Sequence, residues 1–221
     1  MRTVLGFCFL LGLHPLVAAP LVFDSLLKET HLPADSESVT MDFHFENKSD
    51  KQVVIRRYDA GCNCMQVSVR DGKLTYGPGE KGTIRSVFDM KNFMGVVEKA
   101  VMLYLDDDKH DEPSIVLTTR IHIPVLVVVD PKTLQWSVGD EPVEKTVTIT
   151  MHHTEPIRIK RVVGAANGFR HELRTVEEGR TYRLAVTPND TTVPVLGVFR
   201  IETNCTIEKH RVQQVFGVIR K

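Results

Sequence analysis

The sequence predicts an all-β protein: two tandem immunoglobulin-like β-sandwich domains behind an N-terminal export segment. Three observations point there. Polarity alternates with period two through most of the chain, turn residues recur at short intervals, and the second half repeats the plan of the first.

The alternation starts at Val39. Met41, Phe43 and Phe45 fall on one side of an extended segment, while Asp42, His44 and Glu46 fall on the other. The same pattern occupies 51–58, 83–89, 99–105 and 114–123, separated by Asn47-Lys48-Ser49-Asp50, Asp71-Gly72 and Gly77-Pro78-Gly79. No segment sustains the three-to-four residue apolar spacing of an amphipathic helix. Short strands at such spacing suit a sandwich or barrel.

In the second half, 143–151, 157–163, 181–187, 195–202 and 211–219 alternate in the same way. VTMDFHFENKSDKQVVIRRYDAGCNCM lies alongside VEKTVTITMHHTEPIRIKRVVGAANGF, and EKGTIRSVFDMKNFMGVVEKAVMLYLDD alongside EEGRTYRLAVTPNDTTVPVLGVFRIETN. A repeat of roughly 90 to 100 residues is a duplicated small domain, not a solenoid unit. The expected organisation is a signal peptide over 1–19, one sandwich over 20–126 and a second over 127–221. The joint, HIPVLVVVDPK, has no Gly/Ser-rich spacer, so a stiff connection with a partly buried interface is expected. The segment before Val39 reads as an edge strand and loop by comparison with LQWSVGDEPVE, which sets Trp136 against Phe23.

Met1 to Ala19 reads MRTVLGFCFLLGLHPLVAA: one basic residue, a short apolar run, then small residues. That is the pattern of a secretory signal peptide. Pro20 disfavours cleavage directly after Ala19. No later apolar run is long enough to span a bilayer, so a periplasmic or extracellular protein without a membrane span is expected. Lys plus Arg and Asp plus Glu number 28 each, which leaves no net field to recruit nucleic acid.

The run FHFENKSDKQVVIRRYDAGCNCM, with YGPGEKGTIRSVFD and GVVEKAVMLYLDDD after it, resembles the exported bacterial proteins grouped as domain of unknown function 1573, relatives of the immunoglobulin-like domains of hydin. The resemblance rests on Phe43, Phe45 and Asn47, then Cys62 and Cys64, then Pro78 and Gly79, then Gly95 and Lys99, and covers about Phe23 to Ile123. Met65 stands where the family usually has Thr or Ser, and Asp106-Asp107-Asp108 replaces its usual turn. The resemblance implies the fold and no reaction.

Cys62, Cys64 and Met65 form the sharpest chemical cluster. Three readings stay open for the two cysteines: a local packing or turn feature, a soft Cu(I) or Zn(II) or redox site with Met65 or a nearby histidine adding a ligand, or pairing with Cys205 or another chain. In an extended segment a bond between them is disfavoured, because i and i+2 neighbours sit too far apart. Two ligands do not complete a structural zinc site. Cys205 reads as a loop cysteine, exposed or half-buried. His44, His122 and His171 read as outward or loop positions, His152 and His153 as a solvated strand end, and the nine histidines form no motif. The acidic run 106–112 lacks the glycine turn and ligand spacing of a calcium loop. Asn47, Asn189 and Asn204 begin glycosylation sequons. No nucleophile elbow, zinc-protease or phosphate-loop motif occurs, so the expectation is a non-enzymatic envelope protein without a cofactor that binds a protein partner, with copper or redox handling through Cys62 and Cys64 as the alternative.

Overall fold

The computed structural model describes residues 19–106, 112–164 and 168–221. Most of the expected signal peptide and the centre of the acidic loop lie outside them. The first half supplies β1 (Leu21–Phe23), β2 (Leu27–His31), β3 (Ser38–Asn47), β4 (Val53–Ala60), β5 (Met65–Val69), β6 (Thr75–Tyr76), β7 (Lys81–Asp89), β8 (Gly95–Leu105) and β9 (Ile115–Ile123). The second supplies β10 (Val127–Asp130), β11 (Thr133–Ser137), β12 (Lys145–Met151), β13 (Ile159–Gly164), β14 (Phe169–Glu177), β15 (Thr181–Pro188), β16 (Val195–Thr203) and β17 (Val212–Arg220).

These strands make four sheets, ordered β1-β3-β7-β5 and β2-β9-β8-β4-β6, then β10-β12-β15-β14 and β11-β17-β16-β13. Two separate apolar cores result. One gathers Phe43, Phe45, Ile55, Ile84, Phe88, Leu103, Leu117 and Ile121; the other gathers Trp136, Val147, Ile149, Leu184, Phe199, Ile201, Val215 and Ile219. The fold is a pair of immunoglobulin-like β-sandwiches. The alternation read from the sequence is the packing pattern: Phe43 and Phe45 are buried between exposed or half-buried Asp42, His44 and Glu46.

In each sandwich the chain starts on one sheet and then crosses to the other. β1 pairs antiparallel with β3, whereas β2 pairs parallel with β9. β10 and β11 repeat this on β12 and β17, switching sheets at the cis Asp130-Pro131 bond. Trp136 therefore belongs to the counterpart of β2, and the alignment with Phe23 on β1 is corrected. The error has a physical cause, since both are aromatic residues near the start of a repeat but face different sheets. The apolar stretch after Pro124 opens the second sandwich. Three residues separate β9 from β10, which packs Val127 and Val129 into the second core.

Asn47 explains why Phe43-x-Phe45-x-Asn47 recurs with Pro78-Gly79. It is fully buried, its side-chain amide donates to the Lys51 and Tyr76 carbonyls, and its Oδ1 accepts from the Ser49 amide and hydroxyl. Its own carbonyl accepts from the Gly79 amide, and φ of +76° at Gly79 requires glycine there. One side chain ties the β3–β4 turn to the β6–β7 turn. Buried in this way, Asn47 is not displayed as a glycosylation acceptor. Beside it Gly82 lies opposite Phe45, and a Cβ there would meet the ring at 2.3 Å.

The joint is held by polar contacts. Lys209, in a short 3-10 turn (Glu208–His210), sends all three ammonium donors to carbonyls of the first half, those of Ser36, Met90 and Phe93, each at 3.2 Å. Ala34 packs against the second core. We expect Asn47→Ala to lower stability by ~1–3 kcal/mol, because the buried Tyr76 carbonyl and the Ser49 turn amide lose their partner. Urea unfolding with a midpoint equal to wild type would show that the turns are held by other contacts.

Candidate functional site

Three places on the molecule concentrate chemistry, and the fold builds each from a different constraint. The first is the outer face of the sheet edge formed by β2. Parallel pairing sets Leu27 opposite Thr118 and His31 opposite His122, and the two-residue period puts Glu29 on the same side as His31. The His31 and His122 rings stack with centroids 4.3 Å apart and planes 7° from parallel. Glu29 Oε1 lies 2.6 Å from His122 Nε2, yet that nitrogen is buried and has no hydrogen-bond partner, so the approach is close without being aligned. Arg120, two residues earlier on β9, stands 3.6 Å from the other Glu29 oxygen and donates to Glu98 at 2.7 Å.

Among the described residues, Glu29, His31 and His122 have one ligand atom each within 4.8 Å of one another, the grouping that can hold a metal ion. A hollow of about 280 Å³, lined by Leu32, Gly95, Val96, Ile123 and Pro124 along with both histidines, opens beside them. His122 is outward and half-buried, as the alternation indicates. The histidines still share no sequence spacing; strand register joins His31 and His122, which no local spacing connects.

The second place is the β4–β5 turn. Cys62 and Cys64 are joined as a disulfide with Cα atoms 5.2 Å apart. The extended geometry assumed from the sequence would separate them by about 6.6 Å. Here 61–64 is a turn, which brings them within the usual bridging range. Bonded cysteines offer no thiolate to copper or zinc. Met65, the third expected ligand, begins β5 and is buried in the first core opposite Phe88. The soft-metal site at Cys62, Cys64 and Met65 is thus not assembled in this structure. Cys205 is also corrected: it is a free, buried member of the second core.

The third place is the outer face of the second sandwich. Register sets Leu196 beside Val218 and Val198 beside Phe216. None of the four is buried, and Leu196 is 66% exposed. Their inward neighbour Gly217 leaves room for the Phe169 and Phe199 rings beneath. The face is therefore an apolar patch rimmed by Thr133, Gln135, Arg200 and Gln214.

The charged groups of the joint respond to burial. Burial holds the Lys209 ammonium below the ordinary lysine value, and Asp35 partly offsets this. The next residue, His210, is fully buried with neither ring nitrogen hydrogen-bonded. Burial, then the charges of Lys209 and His153, hold its imidazole below the ordinary histidine value. Elsewhere the Arg85 guanidinium holds Asp42 below the usual carboxylate range through a two-point hydrogen bond at 2.8 and 2.7 Å.

With both the Asn47 turns and the cysteine bridge in place, the first sandwich can be compared with known proteins. Residues 27–119 match the family described as protein of unknown function DUF1573. The resemblance read from Phe43 through Lys99 is thereby borne out. No curated protein matches the chain. Among solved structures, a protein of unknown function from Porphyromonas gingivalis W83 is 8% identical, with 91% of this chain and 99% of that chain covered and a TM-score of 0.37. The YadV chaperone is 10% identical over 90% of this chain and 100% of its own, with a TM-score of 0.32. The Vibrio cholerae VesB protease is 16% identical over 48% of this chain and 32% of its own, with a TM-score of 0.35. Neither DUF1573 nor these similarities says what the chain does.

His210 gives a signed expectation. The folded chain keeps the ring neutral, while the unfolded chain takes up a proton as pH falls through about 6.5. The unfolded state then binds more protons, so this contribution to stability is complete above that pH and is lost as pH falls toward the depressed folded value. We expect thermal stability to decline between pH 7.5 and 5.5, with a limiting slope near ~1.4 kcal/mol per pH unit from this one group. His210→Phe should flatten that slope, and an identical slope in the variant would assign the acid sensitivity elsewhere.

Proposed function

We propose that the chain is an exported, non-enzymatic protein of the bacterial cell envelope, periplasmic or extracellular, that works as a binding module for a protein partner. The observation that carries this reading is the patch of Leu196, Val198, Phe216 and Val218. Four adjacent apolar side chains on the solvent side of a sheet cost solubility, and they suit the centre of an interface better than an isolated surface. Their polar rim is the usual surround of such a centre.

Strand addition at an open edge is the competing mode of partner binding. β14 is a long edge strand, but it carries Arg170, Glu172, Arg174 and Glu177, with Arg174 tied to Glu144 and Glu172. Charges of that kind guard an edge against pairing. The face is therefore preferred over the edge. Export rests on the Met1 to Ala19 pattern, and the balanced charge argues against nucleic acid as the partner. The alternative divides at Cys62 and Cys64: copper binding would first require reduction of their bond, whereas redox exchange would start from it.

Leu196→Asp is expected to leave the unfolding temperature nearly unchanged, because the side chain makes little contact in the free chain. A photo-crosslinking residue at position 196 in cells of the native host should capture a discrete envelope protein that the same probe at exposed position 176, on the other sheet, does not. Identical captures at the two positions, or none at 196, would remove the patch as the docking face.

A further inference from the structure

We propose that Glu29, His31 and His122 form a surface site for a divalent transition metal of borderline softness, with Zn²⁺ the ion that the ligand set suits. Two imidazoles and a carboxylate are the ligands such ions prefer, whereas Mg²⁺ and Ca²⁺ favour all-oxygen sets. Three protein ligands leave at least one position for water or an external ligand, which makes the site exchangeable and not a structural staple.

Three features of the geometry argue for more than a chance cluster. Parallel register fixes His31 against His122 through backbone hydrogen bonding, so two ligands are placed by the sheet and not by side-chain flexibility. His122 Nε2 is buried, lacks a hydrogen-bond partner, and faces the Glu29 carboxylate at 2.6 Å. A buried ring nitrogen without a hydrogen bond, beside a carboxylate oxygen, offers two ligand atoms that one cation would satisfy. Behind the carboxylate, Arg120 stands between Glu29 and Glu98 and restrains the ligand from outside the site.

The rings stack 4.3 Å apart, and a turn of an imidazole about its Cβ–Cγ bond brings nitrogens of both onto one ion. That torsion is soft. His31 is exposed and can make the turn, and the hollow lined by Leu32, Val96 and Pro124 leaves space for it and for a bound water. The alternative for the same residues is a plain ion pair between Glu29 and a protonated His122, with His31 merely stacked.

The test uses the full chain without an affinity tag, stripped of metal, with Cys62 and Cys64 oxidised. Titration with ZnCl₂ followed calorimetrically should show one ion per chain. Affinity should fall tenfold or more in His31→Ala, His122→Ala and Glu29→Gln, and should be unchanged in a Cys62→Ser, Cys64→Ser variant or in excess Mg²⁺. Ring resonances of His31 and His122 should shift on addition of Zn²⁺ while those of His152 and His153 stay in place. Unfolding temperatures near wild type for the three variants would show that loss of binding is not loss of fold. Absence of stoichiometric binding, equal affinity in a His31→Ala, His122→Ala double variant, or shifts confined to other histidines would overturn the proposal.

Discussion

The parallel pairing of β2 with β9 is the constraint from which the rest of the first sandwich follows. A strand that started on the β3 sheet has to leave it, cross the edge of the core and lie alongside the last strand of the opposite sheet. That crossing ties the two sheets together at their rim. It also sets what lies beyond: Leu32 donates its amide to the His122 carbonyl, the next turn carries Ala34 against the second core, and Ser36 offers its carbonyl to Lys209. The histidine pair and the joint are thus consecutive consequences of one short strand. β11 on β17 repeats the device in the second sandwich, where it buries Trp136 instead of presenting ligands.

The joint shows how a polar anchor fixes two domains against each other. The link from Ile123 to Val127 is short, and Lys209 satisfies each of its ammonium hydrogens on a backbone carbonyl of the other sandwich. Carbonyls at turns cannot move without disturbing their own strands, so the contact restrains orientation as well as distance. A polar hollow of about 630 Å³, lined by Asp35, Glu37, Lys91 and Glu208 among others, remains open beside it. The apolar patch of the second sandwich and the histidine cluster of the first lie on separate sheets.

Much of the fold was legible because burial on one face writes period two into the sequence. β3, β7, β9, β12 and β16 all have an inward and an outward set, and those strands were read within a few residues. β14 was not, since all but its first and fifth residues are exposed and no inward set marks it. β5 was missed for a different reason: it is short and follows a turn whose cysteines had been assumed to lie on an extended segment. Cys205 looked like a loop residue because its neighbours Asn204, Thr206, Glu208 and Lys209 are polar, but the loop folds inward over the core. The histidine cluster was illegible in principle from spacing. His31 and His122 meet only through a parallel register between the second and ninth strands, and register between distant strands is a property of the assembled sheet.

The most direct test of this account is nuclear magnetic resonance of the oxidised full chain, reading proton contacts across the β2–β9 seam together with amide exchange. The account requires contacts between the His31 and His122 rings and between Leu27 and Thr118, with the hydrogen-bonded amides of β2 protected well beyond those of an open loop. Absent contacts, with Leu27 through His31 exchanging at loop rates, would mean that β2 is not docked, and would contradict both the closed sandwich and the placement of the residues built on it.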